Sequence, residues 1–336
     1  MVPELIGRFN NNLCNVLYFF LMKVLIFGAG GVGSVMGGFL ARMGHDVSLV
    51  GRAWHLDVIK KEGLLITGIW GDTRSKAFRF YTSAEEIKSQ HEHFDLIILT
   101  VKSFDTAQAV MEIETLMDEN TTLLSLQNGL GNIETILSKI KSENLLIGRV
   151  IFGVELTPGV AKVTVTADPI AIGALPGVKT KLSAETVAHI FNLSKIETRA
   201  VSNILTVIWA KVIYNCALNG ICSVHEIPYG KILEREETKN DMKEIVRECY
   251  RVGQKKGIAL DPPDAEAYID LLMGTLIPRT ASHTPSMLQD IKRGKRIDLE
   301  ALNGAICRLG KELGIATPVN QKVVDKVLKK IQLTPY

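Results

Sequence analysis

Apolar residues fall into two textures along the chain. Up to about residue 200 they come as short blocks separated by glycines, prolines and polar stretches. From Ile204 onward they recur at helical spacing over long segments. In the first part, residues 24–27 and 47–50 read as buried strands, with a helix over 34–43 crossing between them. Further strands are expected at 64–69, 97–101, 122–126, 147–154, 163–165 and 170–172. Strands alternating with helices predict a parallel, doubly wound sheet. In the second part, helices are expected over roughly 204–224, 234–257, 262–274, 285–291, 296–314 and 319–332.

This divides the chain into an α/β domain over residues 22–201 and an all-α domain over 202–336, consistent with 336 residues being too many for one ordinary domain. Residues 1–21 read as an extension outside the fold, from an upstream start codon, because a complete strand begins at Lys23. Their apolar block, 16–22, is too short to span a bilayer and is followed by no small-residue cleavage site. No other segment is expected to span a membrane.

Composition narrows the function. Charged residues make up 22% and the net charge is only +3, which argues against a nucleic-acid binder. The densest basic stretch, Lys292, Arg293, Lys295 and Arg296, reads as a solvated face. The five cysteines form no CxxC pair and suggest free thiols in a reducing, cytoplasmic setting, with Cys216 and Cys222 buried in an apolar helix. The seven histidines show no metal-ligand spacing; His45, His55, His91 and His93 read as surface residues.

Chemistry first shows at Gly28-Ala29-Gly30-Gly31-Val32-Gly33, a GxGxxG stretch after a strand and opening a helix. The first glycine permits a tight turn, the second lets backbone approach a pyrophosphate, and the third lets helix and strand pack closely. The helix N-terminus offers N–H groups and a positive dipole end to phosphates. The second strand ends Val50-Gly51-Arg52 instead of on a carboxylate, so a guanidinium awaits a 2′-phosphate and NADP(H) is the expected cofactor. Lys102 and Asn128 fall past the ends of later strands, where ligands gather. Lys102 reads as a contact to cofactor phosphate or ribose. Asn128 reads as a contact to nicotinamide or substrate. Either is also readable as a turn residue, Asn128 because Gly129 comes next.

In the second domain the apolar run ILTVIWAKVIYNCALNGICSV carries Lys211, Asn215 and Asn219, each four residues apart. On a helix these stack along one face. A lysine in a buried helix is costly unless it is paired or faces a cleft. The stripe therefore reads as ligand-facing; the alternative is a lysine snorkelling to solvent beside two ordinary amides.

These pieces together resemble the ketopantoate reductase (2-dehydropantoate 2-reductase) family. GAGGVG with GGFLA, TVKSFD at 100–105, QNGLG at 127–131, KVIYNCALNG at 211–220, SMLQD at 286–290, DLEALNG at 298–304 and GIATPVN at 314–320 carry the resemblance, over about residues 22–332. It implies a Rossmann-type domain, then a helical domain of the 6-phosphogluconate dehydrogenase type, with substrate in the cleft between them. NADPH would deliver a hydride to C2 of 2-dehydropantoate, giving (R)-pantoate for pantothenate and coenzyme A. Lys211 would be the general acid; Asn215 and Asn219 would hold substrate and Ser286 its carboxylate end. Asn128 would sit between cofactor and substrate, with Lys102 near the cofactor.

Two departures stand out. Anchored on Asn303-Gly304, the family's usual glutamate is Asp298 and its aspartate is Glu300. Tyr229-Gly230 stands where some members carry asparagine before glycine. The residues agree independently with ketone reduction: Lys211 supplies a proton to the developing alkoxide, and the amides orient the substrate. The expected partners are a 2-oxo acid and NADPH, with a homodimer as the assembly and neither nucleic acid nor membrane. Two alternatives remain open: reduction of another branched 2-oxo acid, and a regulatory protein that senses NADPH without turnover.

Overall fold

The computed structural model describes residues 21–333. The chain forms two compact units: the described residues up to Gln127 together with Ile133–Ile204, and Asn128–Asn132 together with Leu205 onward. The expected extension lies outside the described residues except for Leu21.

The first unit is built on an eight-stranded sheet ordered β12-β11-β8-β7-β6-β1-β2-β5. Its centre is β1 (Lys23–Phe27), β2 (Asp46–Val50), β6 (Leu96–Leu99), β7 (Thr122–Ser125) and β8 (Leu145–Arg149), all parallel to their neighbours within this group. Their near-continuous apolar runs mark strands covered on both faces. The sheet is not wholly parallel as expected. β11 (Ile170–Gly173) runs antiparallel to β8, and β12 (Thr198–Ala200) pairs parallel to β11. The edge strands β5 (Phe78–Tyr81) and β12 are short and each is interrupted by an arginine, which hid them from the hydrophobic pattern.

A second sheet was not expected. It has the order β4-β3-β10-β9, with β3 (Leu64–Gly68), β4 (Thr73–Ser75), β9 (Phe152–Thr157) and β10 (Val160–Thr166). The run 64–69 belongs here instead of to the main sheet, and 147–154 is two strands, β8 and β9, that part company between sheets. β9 and β10 are joined by Pro158-Gly159, where Gly159 takes φ +71°, the conformation a proline-glycine turn requires.

Helix α1 (Gly31–Arg42) lies between the two sheets. A Cβ at Gly37 would sit 3.0 Å from Leu49 and 3.1 Å from Ile26 of the main sheet, and one at Gly38 would sit 2.4 Å from Ile66 of the second. The paired glycines thus let one helix press on both layers. The remaining helices of this unit are α2 (Ala53–Glu62), α3 (Ala84–Ser89), α4 (Thr106–Glu114), α5 (Asn132–Leu137, which starts in the other unit's segment) and α6 (Ala184–Leu193).

Two histidine expectations are corrected by this packing. His45 and His55 are buried, at 7% and 1% exposure, not on the surface. His45 Nδ1 accepts from Met22 N at 3.1 Å, and burial lowers its pKa to about 4, so it is neutral. His55 lies on the inner face of α2 with Leu56 and Ile59. Its Nδ1 accepts from Gly159 N at 3.1 Å, which leaves Nε2–H to donate to Ser34 Oγ at 2.9 Å. The ring therefore braces α1, α2 and the β9–β10 turn. The hydrophobic pattern had not marked α2 as a helix, so the burial of His55 was not visible.

The second unit is helical. Its centre is α7 (Ile204–His225), 22 residues long, with Trp209, Val212, Cys216, Leu218 and Cys222 buried. On length and composition alone α7 would qualify as a membrane span. Its apolar side chains are buried against the protein's own helices, as in a core helix. Around it lie α8 (Glu236–Lys255) and α9 (Ala265–Leu271), which continues through a π-helical turn, Leu272–Leu276. The unit is completed by α10 (Ser286–Lys292), α11 (Asn303–Leu313) and α12 (Pro318–Leu333).

The helix expected over 296–314 starts only at Asn303, because residues 299–301 form a 3₁₀ turn and Leu302 leaves helical dihedrals at φ −112°, ψ −108°. α9 starts at Ala265, where Asp264 caps it by accepting from Ala267 N at 2.8 Å. Cys216, Cys222, Cys249 and Cys307 are free thiols, and no cluster suited to a metal occurs among the described residues.

Candidate active site

In the first unit, Phe27, Val50 and Leu99 pair in register as the last residues of β1, β2 and β6. The segments leaving these strands therefore emerge at one edge of the sheet: the glycine turn, Gly51-Arg52, and Thr100 to Lys102. Gly28 N and Ala29 N donate to Val50 O at 3.0 and 2.8 Å, and Thr100 Oγ1 donates to Gly28 O at 2.7 Å. Ala29 is buried, while Val32 is half-buried against the core.

The glycines of the turn are required for different reasons. Gly28 has φ +110°, and a Cβ there would meet Val101 at 2.8 Å. A Cβ at Gly33 would stand 2.4 Å from Gly28 O, and one at Gly31 would stand 3.0 Å from Val154. Gly30 is different. Its φ is −86°, open to any residue, and a Cβ there would meet nothing nearer than 4.0 Å. Nothing among the described residues asks for glycine at Gly30, and the space beside it is open. The first turn of α1 has no acidic residue and no side-chain cap, leaving its N–H groups and dipole for an anion.

Arg52 is exposed at the start of α2 and forms no ion pair among the described residues; its backbone oxygen accepts from His55 N and Leu56 N, both at 3.1 Å. Lys102 is exposed and precedes the 3₁₀ turn Ser103–Asp105. An open glycine and an unopposed helix N-terminus at one sheet edge fit a dinucleotide, and the exposed guanidinium stands beside them.

The second unit gathers side chains from four separated stretches. Asn128, Asn215, Asn219, Ser286 and Asp298 line one small, open cavity, with Met287, Asp290 and Leu302. Lys211 reaches this cavity through Asn128: its Nζ donates to Asn128 Oδ1 at 2.5 Å. Asn128 is set by its neighbours. Gly129 has φ +86°, and a Cβ there would stand 2.5 Å from Ala301 Cβ. Leu130 N donates to Ala301 O at 2.8 Å, and Asn132 Nδ2 to Asn128 O at 2.9 Å. The Asn-Gly pair is thus a turn, and the turn delivers the Asn128 side chain to Lys211.

Two residues have parts in this site that the sequence reading did not assign to them. Asp290 lines the cavity one helical turn after Ser286 on α10; the four-residue spacing within SMLQD was the available signal. Tyr229 is buried and donates its hydroxyl to Asn219 Oδ1 at 2.5 Å. Burial pushes its phenol well above the usual range, so it stays a donor.

Asn303 and Asn320, in the two C-terminal motifs, are both fully buried. Asn303 Nδ2 donates to Cys216 O at 3.1 Å and to Asn320 Oδ1 at 2.9 Å. Glu248 then accepts from Val319 N, Asn320 N and Asn320 Nδ2 at 2.7–2.9 Å. This buried chain holds α7 at Cys216, between the cavity-lining Asn215 and Asn219. Tyr268 adds a hydroxyl bond to Ala210 O at 2.9 Å, beside Lys211. Glu300, the other departure in its motif, is exposed, 3.8 Å from Arg308.

Comparison with known proteins agrees across nearly the whole chain. The family described as "Ketopantoate reductase PanE/ApbA" matches residues 24–177, and its C-terminal counterpart matches residues 203–331. A 2-dehydropantoate 2-reductase of Aquifex aeolicus is 35% identical over 311 residues, spanning 92% of this chain and 97% of that protein. One of Pyrococcus abyssi is 36% identical over 305 residues, spanning 89% and 94%. Among solved structures, a PanE/ApbA family ketopantoate reductase from Ralstonia eutropha JMP134 aligns with TM-score 0.82 at 30% identity, covering 94% of this chain and all of that one. A D-mandelate dehydrogenase solved with NADH and anilino(oxo)acetate aligns with TM-score 0.82 at 28% identity, covering 93% and 99%.

Proposed function

Since the chain is an oxidoreductase belonging to the ketopantoate reductase family, we propose that it reduces 2-dehydropantoate to (R)-pantoate with NADPH, on the route to pantothenate and coenzyme A. The observation that carries this reading is the Lys211–Asn128 pair joined to a cavity lined by Asn215, Asn219, Ser286 and Asp298. The glycine turn and the N-terminus of α1 hold the pyrophosphate, Arg52 takes the 2′-phosphate, and Lys102 contacts the cofactor. When bound, NADPH supplies the hydride that C2 of the ketone accepts.

Every other task falls to side chains of this protein. The amides of Asn215 and Asn219 and the Ser286 hydroxyl orient the acid, with its carboxylate at Ser286. Asn128 holds the Lys211 ammonium in place. That ammonium stabilises charge growing on the ketone oxygen, then donates a proton to it and recovers one from solvent. Asp298, one methylene shorter than the family's glutamate, accepts from a substrate hydroxyl.

The test is NADPH oxidation followed at 340 nm with a panel of 2-oxo acids. We expect 2-dehydropantoate to give the largest kcat/KM. NADPH binding without turnover of any 2-oxo acid would overturn the reading. A second reading, reduction of a different 2-oxo acid, is favoured by the likeness to D-mandelate dehydrogenase. It predicts that an aromatic 2-oxo acid outperforms 2-dehydropantoate in the same panel, and NADH in place of NADPH would accompany it.

A further inference from the structure

At the inner end of the cavity, Asn219 is only 4% exposed and Tyr229 likewise. The Tyr229 hydroxyl donates to Asn219 Oδ1, and this is the one side-chain hydrogen bond seen for that amide among the described residues. Tyr229 itself is held on all sides. Its N–H donates to His283 O at 3.1 Å, and Gly230 N donates to Ala281 O at 2.9 Å. A Cβ at Gly230 would stand 2.9 Å from Ala281 Cβ, so glycine is needed for the two segments to come this close. The ring packs edge-on to Tyr214 at 5.7 Å and tilted on His283 at 5.0 Å. Tyr214 is fixed in turn by a 2.8 Å hydroxyl bond to Thr280. The phenol therefore has little freedom to follow Asn219; the amide must follow the phenol.

An amide with its oxygen engaged presents its nitrogen. We propose that Tyr229 is a positioning residue that fixes the Asn219 amide with Nδ2–H toward the cavity, so that this end of the site offers a donor to an acceptor oxygen of the 2-oxo acid. The assignment rests on the function proposed above. Tyrosine reaches Asn219 from behind the cavity wall, and the recognition surface stays on Asn219.

The experiment is steady-state kinetics on whichever 2-oxo acid the wild type reduces, with two variants. Tyr229→Phe keeps the ring packing and deletes the hydroxyl. It should raise KM for the oxo acid roughly tenfold, about what one lost hydrogen bond is worth. Its kcat and its affinity for NADPH should change less than about twofold, because the amide acts on binding and not on the chemical step. Asn219→Asp keeps an acceptor for Tyr229 and turns a carboxylate oxygen toward the cavity. It should raise KM further, with recovery as pH falls and the carboxyl gains a proton to donate. A Tyr229→Phe enzyme with unchanged KM, or an Asn219→Asp enzyme whose KM does not improve on acidification, overturns the assignment while leaving the reductase reading intact. A wild type that reduces no 2-oxo acid overturns both.

Discussion

The glycine turn of the first unit and the polar stripe of the second do their work with opposite materials. At the turn the working groups in the proposed function are backbone N–H donors, and side chains are missing: Gly28 and Gly33 because the fold leaves no room, Gly30 although the fold leaves ample room. At the stripe the working groups are side chains on a buried helix, each needing its own support. Lys211 leans on Asn128, Asn219 on Tyr229, and α7 itself on the Asn303–Asn320–Glu248 chain. A site made of backbone fails when something is added. A site made of side chains fails when something is taken away.

Four measurements press on that contrast. The largest effect is expected from Lys211→Ala, which removes both the proton and the charge. Turnover should fall by roughly a thousandfold, the scale of general-acid and charge stabilisation together, with NADPH affinity unchanged. Single-turnover kinetics with a separate titration of cofactor would check it, and near-normal turnover would remove the lysine from the chemistry. Next comes Arg52→Asp. Replacing a guanidinium by a carboxylate should swing the NADPH-to-NADH preference by about a hundredfold toward NADH, read as a ratio of kcat/KM.

The third is a matched pair at the turn. Gly33→Ala forces a Cβ to 2.4 Å from Gly28 O, and should lose about 3 kcal/mol in urea unfolding. Gly30→Ala meets no protein atom nearer than 4.0 Å, and should unfold like wild type yet bind NADPH about tenfold more weakly. Equal unfolding losses in both would show that Gly30 serves the fold after all.

The smallest effect concerns His45, buried beside the start of β1. His45 has its pKa lowered from 6.5 to about 4, so the unfolded chain binds the extra proton first. Its stabilisation is complete above pH 6.5 and is lost as pH falls toward 4. That amounts to about 2 kcal/mol between pH 7 and pH 5. His45→Asn should flatten this part of the pH dependence; an unchanged slope would assign it to other groups.

How much of this was legible in the sequence depended on how local the cause was. The strand, glycine turn and helix over 23–42 stand out because each property, from apolar run to missing side chain, is written in adjacent residues. The Lys211, Asn215, Asn219 stripe was visible for a similar reason, since four-residue spacing on a long helix fixes a face. The second sheet was not visible. β3, β4, β9 and β10 have ordinary strand composition, and only the path of the chain decides that they leave the main sheet. His55 misled because burial came from α2, a helix with lysines and glutamate on its other face. Tyr229 and Asp290 lie within motifs or beside them, but composition does not say which neighbour a side chain meets.

The order of residues by itself determined where backbone must bend tightly, which helix carries a polar stripe, and that an arginine stands in the carboxylate's usual place after β2. These depend on steric limits and helix periodicity, which act over a few residues. Only the tertiary structure decided that Asn128, Asn219, Ser286 and Asp298 share one cavity, that Asn128 meets Lys211, and that a phenol stands behind an amide. The Lys211–Asn128 pairing joins residues 83 apart. Such meetings are fixed by the packing of whole helices, a long-range balance that no short window of sequence contains.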